Sequence, residues 1–219
     1  HICPNTRKWL RLGPAGLRAE AEEHLKNAPA DQRDFYRSIQ IVMEGAQAFM
    51  RRYADLAEKL YAEHAEASLA EVARVCRKLA EQPPESYHEA LQATWFLYVI
   101  LQMEGNASSF SPGRMDQYLF PYFERSMEAG MTLSEALELT ECLWLKFNQV
   151  VYLRNSNSAR YFAGFPIGFN VAIGGQNADG SDASNALSYL FLQAQSHILL
   201  PQPNLSLRMY KNSPAELLE

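Results

Sequence analysis

The sequence predicts an α/β fold in which helix predominates, and three observations predict it. Apolar residues recur at three- and four-residue steps over long stretches of the first two-thirds of the chain, the period of a helix with one buried face. Ser or Thr stands three residues before Glu at Ser68/Glu71, Ser86/Glu89 and Thr132/Glu135, the spacing at which a helix start satisfies its own free amides. After Tyr152 the texture changes to short apolar runs bounded by Gly, Asn and Pro, with one helical pattern between them. Helices packed around a mostly hidden sheet are the expectation.

The elements follow in order. Gly16 to Lys26 is a short amphipathic segment, ended by Asn27-Ala28-Pro29-Ala30. Asp31 opens a long helix to about Ala65, carried by Phe35, Ile39, Val42, Ala46, Phe49, Tyr53, Leu56 and Leu60. Ser68 starts a helix that stops before Pro83-Pro84, and Ser86 leads into the apolar segment Leu91 to Met103. Pro112-Gly113 breaks regular structure, and Thr132 opens a helix to about Val151. Phe169 to Ile173 reads as a strand ended by Gly174-Gly175, and Asn177 to Gly180 as a turn. Asp182 is the expected cap of a helix running through Leu187 and Phe191 to His197, and Asn204 to Tyr210 alternates as a second strand. Strand–helix–strand implies parallel strands joined by a right-handed crossover. Ser213-Pro214-Ala215-Glu216 has the residues of a further helix start.

Composition excludes several classes. With 219 residues, 47% of them hydrophobic and 21% charged, the chain can bury roughly 70% of its unfolded surface. Its net charge is -5 and it has no run of Lys or Arg, so a nucleic-acid partner is not expected. The longest apolar run, Trp95 to Leu101, is too short for a membrane span. Cys3, Cys76 and Cys142 lack metal-ligand spacing and fit a reducing compartment, so the expectation is a cytoplasmic protein with no bound metal. His1 is not an initiator Met, and a helix starting at Ser213 would be cut short at Glu219. The sequence therefore reads as a piece of a longer protein.

The chemistry-bearing residues concentrate in Glu104 to Tyr122. Glu104 to Ser111 carries hydroxyls and an amide suited to a polar substrate. Ser111 to Tyr122 then places Arg114, Asp116, Gln117 and two Tyr around a Pro-Gly turn. Turn chemistry with a helix start at Asp116 accounts for the same residues. Phe162 to Gly168 puts an aromatic and small residues just before a strand, as a cavity wall requires. Among the histidines, His24, His64 and His88 sit on polar helix faces, and His197 ends a helix where a cation favours the dipole. No phosphate loop, nucleophile elbow or zinc-helix motif occurs.

Glu104 to Tyr122, with its Ser-rich lead into Ser-Pro-Gly-Arg-Met-Asp-Gln-Tyr, resembles a block of the glycyl radical enzymes of the pyruvate formate-lyase-like family, in particular their dehydratase and lyase branch. The resemblance runs on through Leu143 to Asn148, Gly164-Phe165-Pro166, Gly174-Gly175 and Asp179 to Leu190, and ends in Leu200 to Arg208. His1 to Gly13 is similar to a segment at the active site of that group. It implies a ten-stranded α/β barrel of which residues 1–219 form part of a single domain, helical over 1–152 and strand–helix–strand over 169–210. It also implies a catalytic cysteine loop and a radical-glycine motif that both lie beyond this chain. A separate activating enzyme, using S-adenosylmethionine and an iron–sulfur cluster, would install the glycyl radical, and no cofactor would be bound here.

The implied function of the parent protein is radical dehydration or C–C, C–N or C–S cleavage of a small polar molecule. Formate acetyltransferase activity and a non-catalytic scaffold or binding module are the alternatives. By the same resemblance Ser109, Ser108, Phe165 and His1 would face substrate; Phe165 stands where relatives often carry Tyr. Cys3, Cys76 and Cys142 are not cast as the catalytic thiol. Arg114 and Asp116 are expected to support the site structurally, with Arg114 paired to a carboxylate. A homodimer is implied for the parent, and the isolated chain, inert by itself, should self-associate through uncovered strand edges and helix faces.

Overall fold

In a computed structural model the described residues are 2–150, 152–162 and 167–217. Nine α-helices and three strands follow one another among them. They are α1 Thr6–Asn27, α2 Arg33–His64, α3 Ala67–Glu81, α4 Tyr87–Gly105, β1 Ser109–Arg114, α5 Met115–Tyr118, α6 Phe120–Glu128, α7 Leu133–Phe147, α8 Ser156–Phe162, β2 Gly168–Gly174, α9 Ala186–Ile198 and β3 Asn204–Arg208. The chain divides into two compact units.

One unit comprises residues 5–85 with 92–97 of α4. Helix α1 starts at an Asn5 cap and is interrupted at Gly13, whose φ of 61° is followed by Pro14, so the helix extends further N-terminally than Gly16. Helix α2 buries Ala46, Met50, Ala54 and Ala57, while α3 buries Ala73, Val75, Cys76, Leu79 and Ala80. Small residues on both surfaces let the helices pack closely. Gln47 is buried with them, its amide donating to the Ala80 carbonyl at 2.9 Å and its Oε1 accepting from Arg18 at 3.2 Å. Trp9 donates its indole N–H to the Ala93 carbonyl at 2.8 Å. The expected capping box at Ser68 does not form. Glu66 is the N-cap residue, Ser68 bonds the Glu66 carboxylate, and Glu71 is taken by a two-pronged bond from Arg74.

The other unit holds residues 1–4, 86–91 and 98–219. Its three described strands form a parallel sheet in the order β1-β2-β3. The boxes at Ser86/Glu89 and Thr132/Glu135 close at both ends, satisfying two amides each. Pro112-Gly113 does not end regular structure as expected. Strand β1 runs through it with one extra residue between Phe110 and Gly113, a bulge that accommodates a residue with no N–H to donate. Asp182 does not cap α9 either. It bonds Ser184, and Asn185 is the cap, accepting from Leu187 and Ser188. An apolar core of rings lies against one face of the sheet. Phe147 stacks on Phe169 at 4.4 Å between centroids, Tyr98 meets Phe110, Phe147 and Phe169 edge-on, and Trp144 joins Phe147 to Phe191. Tyr87 is fully buried, its hydroxyl 2.8 Å from Thr140 Oγ1.

Candidate functional site

Period-two alternation sorts the sheet into two surfaces. Phe169, Val171 and Ile173 of β2 are all fully buried on one side. Gly168, Asn170 and Ala172 point the other way, and Asn204 and Ser206 of β3 register beside Asn170 and Ala172. Parallel strands covered on both faces read as continuous apolar runs. Here the second face carries amides and hydroxyls, and Asn170, Asn204 and Ser206 are exposed on it.

Ser109 is the first residue of β1 and pairs with Gly168 at the entry to the sheet. It is buried, at 6% exposure, while its neighbour Ser108 is exposed. Ile2 forms a parallel bridge along the outer edge of β1, its N–H donating to the Ser109 carbonyl at 3.1 Å and its carbonyl accepting from Ser111 at 2.8 Å. The N-terminal segment and the Ser-rich lead are therefore side by side. His1 and Phe165 lie outside the described residues. Asn106 ends α4 in a left-handed conformation and grips Leu153 with both ends of its amide, each at 3.0 Å, which ties the Ser-rich lead to the loop after α7.

Arg114 and Asp116 gather at the far end of the strands. Among the described residues Arg114 pairs with no carboxylate. It donates to the carbonyls of Gly174 at 2.9 Å and Gln176 at 3.2 Å, because the chain after β2 turns there and leaves carbonyls pointing at it. Asp116 is fully buried and uses one oxygen twice, accepting the Gly174 N–H at 2.7 Å and the Ser188 hydroxyl at 2.6 Å. Its main-chain carbonyl takes the Asn185 amide at 3.0 Å, and Gln117 donates to the Ala183 carbonyl at 2.7 Å. Burial pushes the Asp116 carboxyl above its ordinary value; the Ser188 and Gly174 bonds and the nearby Arg114 charge pull in the opposite direction without cancelling it. Arg114 Nε and Asp116 Oδ1 are buried without a hydrogen-bond partner among the described residues. The Ser-Pro-Gly-Arg-Met-Asp-Gln segment is thus a joint between β1, the Gly174-Gly175 turn and the start of α9.

Two contacts that position β2 have no local signature in the sequence. Asn148, at the end of α7, both accepts from the Gln202 N–H at 3.1 Å and donates to the Gln202 carbonyl at 2.8 Å. The buried Gln202 side chain then accepts the Phe169 N–H at 2.6 Å and so fixes the start of β2. An amide between two prolines, where a solvated loop would need none, is the only hint the sequence offers. No group of three His, Cys, Asp or Glu side chains able to hold a metal occurs among the described residues, and no described helix is long and apolar enough to cross a membrane.

This is a helix-rich α/β frame with a parallel sheet whose polar side stands apart from its aromatic core. The chain belongs to the pyruvate formate lyase-like family, whose model matches residues 1–219. It is similar to the glycerol-bound B12-independent glycerol dehydratase of Clostridium butyricum, at 36% identity and a TM-score of 0.94, covering 100% of this chain and 29% of that one. A glycyl radical enzyme from Archaeoglobus fulgidus superposes with a TM-score of 0.92 at 31% identity, covering 100% of this chain and 30% of the other. The isethionate sulfite-lyase of Nitratidesulfovibrio vulgaris is 35% identical over 225 residues, 96% of this chain and 27% of that protein. The chain thus spans between a quarter and a third of the length of these relatives.

Proposed function

We propose that the protein containing these residues is a glycyl radical dehydratase or lyase that eliminates a group from a small hydroxylated substrate, and that this chain supplies one wall of its substrate chamber. The observation that carries the reading is the polar face that begins at Ser109 in a chain of this family. The relatives act, by name, on glycerol and isethionate, both small and oxygen-rich. Ser109 binds a substrate oxygen, Ser108, Phe165 and His1 are the further substrate-binding candidates that the family resemblance names, and Arg114 and Asp116 hold the far end of the sheet rigid. The whole chain belongs to one barrel domain. The cysteine and glycine that carry the radical belong to the rest of the protein, and a separate activating enzyme using S-adenosylmethionine and an iron–sulfur cluster installs it.

The test is anaerobic activation of the intact protein followed by electron paramagnetic resonance. A doublet glycyl signal with turnover of a small diol or sulfonate is the expected result. An activated preparation with no radical signal, beside a relative that gives one under the same conditions, overturns the reading.

A further inference from the structure

At the entry of the sheet the open face has a notch. Gly168 pairs with Ser109, and a Cβ placed on Gly168 would stand 3.4 Å from Ser109 Cβ and 4.0 Å from Asn170 Nδ2. The Asn170 amide therefore leans back along β2 over Gly168, so that it and Ser109 flank one unfilled side-chain position. The Gly168 backbone does not require glycine; its φ lies outside the left-handed region. What the glycine leaves is room.

The amide is also oriented. Asn204, registered beside Asn170 across the β2–β3 pair, donates its Nδ2 to Asn170 Oδ1 at 3.3 Å. With that acceptor used, the Nδ2 end of Asn170 faces the notch and has no partner among the described residues. Asn170 is exposed, while the face behind it, formed by Phe169 and Val171, is fully buried. A side chain held by one neighbour and mounted on a strand with a close-packed back is well placed to hold a fixed position toward a ligand.

We propose that Asn170 is a substrate-contacting residue, positioned by Asn204, that donates Nδ2–H to a hydroxyl oxygen of a small neutral polyol lodged in the Gly168 notch beside Ser109. This rests on the reading of the protein as an enzyme for small hydroxylated substrates and adds to it the group that selects among them. The occupant is neutral because Ser109, Asn170, Asn204 and Ser206 carry no charge, whereas an anion would call for a charged donor. Arg208 lies four residues along β3 from Asn204, about 13 Å away at 3.3 Å per residue. A hydroxyl also suits the pair chemically, since it can accept from the amide and donate to a serine oxygen at once. A site built to bond a hydroxyl discriminates strongly against the analogue that lacks it, because its own polar groups are then left unpaired.

The experiment is calorimetric binding of glycerol and 1,2-propanediol to the intact, unactivated protein, repeated with Asn170→Ala and Gly168→Ala. Asn170→Ala removes the donor without supplying a new acceptor and leaves the exposed Asn204 amide to water. Gly168→Ala makes only an ordinary van der Waals contact with Ser109, so the fold tolerates it while the notch fills. Both variants are expected to weaken glycerol binding about tenfold, the size of one lost neutral hydrogen bond, with thermal midpoints near that of the wild type. After activation they should show a raised KM with unchanged radical content. Wild-type affinity in Asn170→Ala overturns the assignment whatever Gly168→Ala does, and wild-type protein that binds neither polyol overturns the ligand class. A failure to form the radical would sink the enzyme reading while leaving the binding result to decide on Asn170.

Discussion

Asp116 and Ser188, 72 positions apart in sequence, meet inside the protein at 2.6 Å, the serine hydroxyl donating to the same carboxylate oxygen that takes the Gly174 amide. Ser188 is at the same time the third residue of α9 and returns its hydroxyl oxygen to the Asn185 N–H. The carboxylate therefore anchors a helix start and a strand end together.

Replacing Asp116 by Ala strands the buried Gly174 amide and is expected to cost about 1–3 kcal/mol. Asn at the same position keeps an acceptor for both donors and should cost less. The two differ further in pH dependence. Burial raises the folded-state pKa of Asp116 above the unfolded value of 3.8, so as pH rises from there the unfolded chain releases its proton first and the wild type loses stability. The amide of the Asp116→Asn variant carries no such proton. Urea unfolding of Asp116→Asn and wild type at a series of pH values should show the gap moving in favour of the variant as pH rises above 3.8. A gap independent of pH would contradict the raised pKa.

A side chain at Gly174 is costly. Its φ is +66°, and a Cβ would sit 3.2 Å from both Leu207 Cδ1 and Ser184 Oγ. Gly174→Ala is expected to lose about 1–3 kcal/mol through backbone strain alone, with crowding added. Thermal melting checks this, with Gly180→Ala as the comparison. Gly180 also has positive φ, at +84°, but meets nothing within 4 Å, so the difference between the two variants isolates the crowding.

The Tyr87–Thr140 pair should respond asymmetrically. Thr140 Oγ1 donates to the Ala136 carbonyl at 2.8 Å, which leaves the Tyr87 hydroxyl as donor to Thr140. Tyr87→Phe removes that donor and leaves Thr140 bonded, a loss of about 0.5–1.5 kcal/mol. Thr140→Val leaves a fully buried phenol without its acceptor and should cost more, about 1–3 kcal/mol. Equal losses in denaturant melts would count against the assigned direction.

The thiols should separate by reactivity. Cys3 and Cys142 are exposed, whereas Cys76 is buried on α3, and burial pushes its thiol up to about 11. A thiol reagent at about pH 8 is expected to label Cys3 and Cys142 in the folded chain and Cys76 only after denaturant is added. Cys76 labelled at the rate of the other two would show that the packing over α3 opens.

What could be read in advance was what neighbouring residues decide among themselves. Ser86/Glu89 and Thr132/Glu135 close locally, and so they were legible. Ser68 has the same spacing but lost its Glu71 to Arg74, and Asp182 spent its oxygens on Ser184 one turn before the helix. Both are local competitions that spacing does not rank. Strand β1 was hidden because Pro112-Gly113 signals a break unless the partner strand absorbs the extra residue. At the site, the Arg114–Asp116 segment stood out by composition, but its partners did not. Gly174, Ser188 and the Asn148–Gln202 grip are contacts between residues far apart in the chain, which only the folded structure defines. Asn170 and Asn204 looked like ordinary strand residues until register brought them together.

The extra residue in β1 counts as well as bends. From Phe110 to Gly113 the strand advances three residues while β2 advances two, so side-chain parity is reset midway. Ser109 and Arg114, five apart, would face opposite ways in a regular strand; here Ser109 registers with Gly168 and Arg114 with Ala172, on one and the same face. Length is therefore under tighter constraint than identity across residues 111–112. Many substitutions there would leave the parity alone, and removing one residue would straighten the strand with Ser109 and Arg114 still on one face, but removing both would register Arg114 with Val171, turn it toward the aromatic core and release Gly174, although no residue of that joint had changed.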